Sequence, residues 1–172
     1  MRTPYRPMAA LAFACLLSSP VIAPAAWAAD TVAFSTSAAL GTIVVRTQER
    51  RLYLVLGNGR ALRYVVGVGR AGRQWAGSSF IDGKYIRPNW TPPDLIKRER
   101  PSVPEVIASG SPANPMGAAA MTLSGGQYAI HGTNAPNSIG GFVSHGCIRM
   151  FNRDILDLYG RVRLGTPVVV ML

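Results

Sequence analysis

The chain has 172 residues, 48% of them hydrophobic and 15% charged, with 18 basic against 8 acidic side chains and a net charge of +10. That length suits one domain with a sizeable core. A positive surplus of this size points to a polyanionic partner or to a solvated basic surface, and the first stretch of the chain argues against nucleic acid as that partner.

Arg2 and Arg6 form a short positive region ahead of an apolar stretch, 8–17, which gives way to Ser18, Ser19, Pro20 and Pro24. Ala26-Trp27-Ala28 is a small-x-small tripeptide of the kind a signal peptidase cuts, so residues 1–28 are expected to be an export signal and Ala29 the mature start. A spanning helix needs about 20 apolar residues without breakers, so stable membrane insertion is not expected. Cys15 lies in mid-stretch behind Ala12-Phe13-Ala14, without the Leu-small-small run of a lipidation site. Removing 1–28 deletes Arg2 and Arg6 and no acid, so +10 less 2 leaves +8. Outside the cytoplasm the abundant anions are wall polymers, peptide-stem carboxylates and lipid phosphates, and no nucleic-acid partner is expected. Cys147 becomes the one thiol of the mature chain, which excludes an intramolecular disulfide. In an oxidising compartment such a thiol is either buried or used.

A short linker, 29–40, is expected before the domain. Residues 41–68 read as a hairpin, with 41–56 as the outgoing arm and 60–68 returning. The Asn58-Gly59 pair between them favours a tight type I′ turn. Residues 69–120 carry Gly69, Gly72, Gly77 and Gly83 and seven prolines, from Pro88 to Pro115. They are expected to form a long irregular lid with a helical turn or two at 94–99. Trp75, Tyr85 and Trp90 argue that this lid is ordered and packed. Strands are expected again at 120–123 and 127–131, around a turn at 124–126. Asn152 is expected to N-cap a short amphipathic helix with Ile155 and Leu158 on its inner face, ending near Gly160. Residues 166–171 read as a last strand. Short strands and frequent turns make the fold class mostly β, a single sandwich-like domain.

The two histidines, His131 and His145, and Cys147 fall within 17 residues of one another. A nucleophilic thiol needs a base, a group to hold that base in one tautomer, and amide N–H groups for the developing oxyanion. Gly146 allows a tight turn whose amides suit that last role. If 144–149 is extended, His145 and Cys147 share one face, while His131 reaches the thiol from an adjacent strand. Two rival readings stand beside a Cys–His pair: a zinc site with His131, His145 and Cys147 as ligands, and a core cysteine with two structural histidines.

His131-Gly132-Thr133, Ile139-Gly140 and Ser144-His145-Gly146-Cys147-Ile148-Arg149-Met150 together resemble the signature of the L,D-transpeptidase (YkuD-type) catalytic domain. The resemblance covers roughly 41–172. It takes in Gly67-Val68-Gly69, Asn114-Pro115-Met116-Gly117, Gly165-Thr166-Pro167 and the segment Trp90-Thr91-Pro92-Pro93, which is similar to the Gram-negative periplasmic branch. It departs at Gln74-Trp75-Ala76-Gly77, where many relatives carry Thr-Pro-x-Gly.

The resemblance implies that Cys147 is the nucleophile, His131 its general base, the Gly132 carbonyl the group that orients the imidazole, and the Gly146 amide an oxyanion donor. It implies substrate contacts from Ser144, His145, Arg149 and Trp90. Arg149 would bind a carboxylate with its planar fork, against the plain alternative of a surface salt bridge. No cofactor or metal is implied. The implied reaction is a 3→3 cross-link between peptidoglycan stem peptides through a thioester, with release of D-alanine, by a periplasmic, wall-associated monomer. Water or a lipoprotein lysine as acceptor would make the same site an L,D-carboxypeptidase or an anchoring enzyme. A wall-binding protein without catalysis would lack the thiol.

Overall fold

The computed structural model describes residues 29–126 and 128–172. The expected export signal, 1–28, lies outside the described residues. Among the described residues are eleven strands and two α-helices: β1 Asp30–Ala33, β2 Ile43–Arg46, β3 Arg51–Gly57, β4 Arg60–Val65, β5 Val68–Gly69, β6 Gly77–Ile86, α1 Asp94–Glu99, β7 Ala119–Leu123, β8 Ala129–His131, β9 Phe142–Ser144, β10 Ile148–Arg149, α2 Asn152–Arg161 and β11 Pro167–Met171. The fold is mostly β, as the short strands and frequent turns predict.

The N-terminal part follows its turn chemistry. β3 and β4 pair antiparallel, and Asn58 and Gly59 both adopt positive φ, 49° and 68°, as a type I′ turn requires. The outgoing arm is two strands, not one. The chain reverses at residues 47–50, with Arg50 at φ 52°, and β2 pairs antiparallel with β3. Residues 29–40 are more than a linker, because β1 adds to the edge of β4 and Phe34 is buried beside Tyr53.

The strand order is β1-β4-β3-β2-β11-β6-β7-β8-β10, with β5 and β9 paired apart. The last strand thus enters the middle, parallel to β2 and antiparallel to β6. Strand β6 corrects the expectation of a lid from residue 69. It is ten residues long; its first part, 77–80, pairs with β11, and 81–86 pairs with β7. Its inner glycine, Gly83, does not break it. The register shifts between Ile81 and Gly83, and a Cβ at Gly83 would lie 2.5 Å from Thr122 Oγ1. Gly83 therefore lets one strand turn the corner between two parts of the sheet.

Alternate residues of β2 face two cores. Ile43 and Val45 join Leu52, Ile81, Met121, Ile130, Ile148 and Val168 in the larger one, and Val44 joins Phe34, Tyr53, Val55 and Ala61 in the smaller. Helix α2 closes the larger core with Ile155 and Leu158, both fully buried, each contributing about 1.5–3 kcal/mol of burial. Lys84 Nζ donates to the carbonyls of Tyr159 and Val162 at 2.7 and 2.5 Å and so secures the end of that helix.

The lid proper runs over 87–118. Trp90 and Ile107 exchange backbone hydrogen bonds of 2.9 and 2.8 Å. Buried Asn114 fills the loop they close, donating to the carbonyls of Pro88, Ile107 and Ala108 and accepting from the Met116 amide. The lid is ordered by its own backbone, as the tryptophans suggested. Among the described residues no helix is long and apolar enough to cross a membrane.

Candidate active site

Strands β8 and β10 run parallel and in register, Ile130 beside Ile148 and His131 beside Arg149. That pairing brings together residues 18 apart in sequence and sets Arg149 opposite His131, with Cys147 two residues before it. Cys147, His131, Arg149 and His145 all line one cleft of about 500 Å³, which the lid covers with Trp90, Pro93, Leu95 and Ile96.

His131 is buried, 2% exposed. Its Nδ1 bonds the Gly132 carbonyl at 2.7 Å. A carbonyl only accepts, so Nδ1 carries the proton there and Nε2 keeps its lone pair. Burial and the Arg149 charge push the imidazole down to about 4, against a weaker upward pull from the carbonyls of Gly132 and Pro115. Near neutral pH the ring is an uncharged base.

Cys147 is half-buried. Burial pushes its thiol up from the ordinary range, while the Ala129 amide and the Arg149 charge draw it part of the way back. Two neutral groups therefore face the cleft, a thiol and an imidazole, and no thiolate–imidazolium pair stands ready. A neutral thiol becomes a nucleophile only by giving up its proton.

The loop between β9 and β10 differs from the extended segment considered from sequence. It bends at 145–146, with Gly146 at φ 124°. His145 is engaged by helix α1 instead. Its Nε2 meets Glu99 of α1 at 2.8 Å, and the same carboxylate holds Arg70 at 2.9 Å. Ser144 is buried, and its hydroxyl is engaged inside the loop, donating to the Cys147 carbonyl at 2.6 Å and accepting from the Gly146 amide at 3.0 Å. Two expectations are corrected by this. Ser144 braces the loop and does not offer its hydroxyl to a substrate, and the Gly146 amide already has a partner, whereas the Cys147 amide has none among the described residues.

Arg149 is half-buried and makes no ion pair with a carboxylate among the described residues, so the surface salt bridge is set aside. Its Nε is buried without a hydrogen-bond partner among the described residues. A buried guanidinium N–H without an acceptor is costly, and a carboxylate entering the cleft would supply one. The described residues hold no group of three His, Cys, Asp or Glu side chains placed to share a metal ion.

Asn152 is the first residue of α2, not its cap. Phe151 takes the cap position, without a side-chain bond. The Asn152 carboxamide instead accepts from the amides of Ala118 and Thr133, both at 3.0 Å, and donates to the Thr133 carbonyl at 3.0 Å. It thus ties the end of the lid and the segment after His131 to the helix. Sequence reading also missed Trp75, Tyr128 and Glu99. Trp75 and Glu99 lie far along the chain from the motif, Tyr128 stands just before His131, and aromatic or acidic character alone does not mark them.

The fold and site together define a β-sheet protein with a cysteine–histidine cleft beneath an ordered lid. Residues 41–170 match the family model for the L,D-transpeptidase catalytic domain (YkuD), and the chain belongs to that family. It is 39% identical over 138 residues to "Probable L,D-transpeptidase ErfK/SrfK" of Escherichia coli (strain K12), covering 75% of this chain and 43% of that one. It is 38% identical over 135 residues to "Probable L,D-transpeptidase YbiS" of the same organism, covering 73% and 43%. The chain thus matches less than half the length of these relatives. Among solved structures it superposes on an L,D-transpeptidase from Mycobacterium smegmatis with a TM-score of 0.61 at 18% identity, over 76% of this chain and 58% of that one. The catalytic domain of the Enterococcus faecium L,D-transpeptidase gives 0.58 at 20%, over 76% and 96%. At such identities the likeness is one of fold.

Proposed function

We propose that this chain is a cysteine-dependent L,D-transpeptidase that joins peptidoglycan stem peptides by 3→3 cross-links. The observation that carries the reading is the shared cleft of Cys147 and an uncharged His131, beside Arg149, whose Nε has no hydrogen-bond partner among the described residues. In the first step the Cys147 proton passes to His131 Nε2 as sulfur attacks the carbonyl at the L-centre of the donor's diamino acid. The bond to the terminal D-alanine breaks, and His131 returns the proton to the departing amine. The Cys147 amide stabilises the oxyanion on the way. In the second step the amine of another stem gives a proton to His131 and attacks the thioester. A C–N bond forms, the C–S bond breaks, and the thiol is restored.

Arg149 holds a stem carboxylate, and Trp90 and His145 bound the space the stem enters. Export of the chain by residues 1–28 and action as a monomer in the periplasm complete the proposal, with no cofactor and no nucleic-acid partner. The test is incubation of the purified protein with a tetrapeptide stem and mass spectrometry of the products. Release of D-alanine with a cross-linked dimer is expected, and Cys147→Ala should abolish both. Turnover retained by Cys147→Ala would overturn the nucleophile. A tripeptide without dimer would show water as the acceptor, and transfer to a lysine peptide would show an anchoring enzyme.

A further inference from the structure

The peptide bond between Gly146 and Cys147 carries the amide left free for an oxyanion, so whatever orients that plane sets the donor. The neighbouring polar groups of the loop are fixed by Ser144, which takes the Gly146 amide at 3.0 Å and the Cys147 carbonyl at 2.6 Å. Neither bond fixes the plane between them. Its carbonyl, that of Gly146, accepts a hydrogen bond of 2.9 Å from Trp75 Nε1. A trans peptide points its N–H opposite to its C=O. With the carbonyl turned to Trp75, outside the cleft, the Cys147 amide is turned the other way.

The indole is itself held. It stacks on Tyr128 with ring centroids 4.7 Å apart and planes 7° from parallel. Tyr128 in turn lies against Gly146: a Cβ there would come within 2.3 Å of its ring, at a φ of 124°. The aromatic pair thus leaves the loop one seat, and the indole N–H fixes its direction. Trp75 belongs to the 74–77 segment in which this chain departs from the Thr-Pro-x-Gly pattern of many relatives.

We propose that Trp75 is a positioning residue for acyl transfer, its indole N–H holding the Gly146–Cys147 peptide so that the Cys147 amide meets the developing oxyanion. The inference rests on Cys147 as nucleophile but not on the identity of the acyl donor. The experiment therefore uses two small electrophiles. With 4-nitrophenyl acetate the sulfur bonds the carbonyl carbon through an oxyanion, the ester C–O bond breaks, 4-nitrophenolate leaves, and the thiol proton passes to His131. With iodoacetamide the sulfur bonds a saturated carbon, iodide leaves, and no oxyanion arises.

In Trp75→Phe, which keeps a ring on Tyr128 but deletes the donor, acylation should fall roughly tenfold while alkylation holds. That is less than the hundredfold or more typical when an oxyanion donor itself is deleted. The ratio of the two rates on one preparation cancels any change in folded fraction. Replacement of the indole by benzothiophene, which removes only the N–H, should give the same ratio. An unchanged ratio, with acylation either intact or falling in step with alkylation, would overturn the proposal. A wild-type protein that reacts with the ester but ignores stem peptides would overturn the wall substrate alone.

Discussion

Arg149 sits across from His131 on the paired strands and two residues along from Cys147, so one cation acts on both candidate reacting groups. A nearby positive charge favours a thiolate and disfavours an imidazolium, and both directions are seen here. Arg149→Gln should therefore raise both groups. His131 should titrate about one pH unit higher, still below an ordinary imidazole because its burial is unchanged. The Cys147 thiol, already raised by burial, should rise further, and alkylation by iodoacetamide near pH 7.5 should slow as the thiolate fraction falls. NMR of the His131 ring and the alkylation rate measure the two effects separately. Equal alkylation rates in both proteins would remove Arg149 from the electrostatics of the thiol.

Elements meet at Asn152, which no single strand or helix explains. Asparagine ahead of an amphipathic run reads as an N-cap, and from sequence a cap and a cross-tie look alike. Only the fold puts the Ala118 and Thr133 amides within reach of that carboxamide. Asn152→Ala leaves two amides and one carbonyl without their partner, and at about 1 kcal/mol each the domain should lose roughly 2–4 kcal/mol in urea denaturation. Asn152→Asp keeps the acceptor and loses the donor, and it should fall between. A loss under about 0.5 kcal/mol for the alanine variant, the range of ordinary surface substitutions, would show that the tie carries little. The same limit explains what else was legible. The Asn58-Gly59 turn and the buried β-branched runs are local signals, and each sits where sequence placed it; the motif around Cys147 was legible in its residues but not in the bend of its loop. Gly83 read as a breaker because a bulge is recognised only with its partner strand present. Glu99 and Trp75 approach the motif from 46 and 71 residues away, and no spacing rule reaches that far.

At the scale of the molecule, the last strand lies between the N-terminal hairpins and the strands that carry the site, so the cleft and the core are parts of one sheet. Protonating a buried group in the cleft should then weaken the whole domain. His131 is held at about 4 when folded against an ordinary 6.5. The unfolded chain binds the proton more readily, so stability falls as pH drops below about 6.5 and continues to fall until the folded imidazole titrates near 4. That difference corresponds to about 3 kcal/mol, at about 1.4 kcal/mol per pH unit. Glu49 and Asp157, lowered chiefly by their hydrogen bonds to Tyr53 and to Arg161, lose stability at more acid pH, through their own depressed folded values. Asp154, raised by burial, works in the opposite direction. These contributions, and the repulsion among surplus basic groups, are common to the wild type and a His131→Gln variant and cancel in their difference. Urea denaturation of both proteins from pH 7 to pH 4 should show the wild type's advantage shrinking by about 3 kcal/mol across that window. A constant gap would mean that His131 takes up its proton as readily in the folded protein as in the unfolded chain, and the uncharged base in the cleft would have to be given up with it.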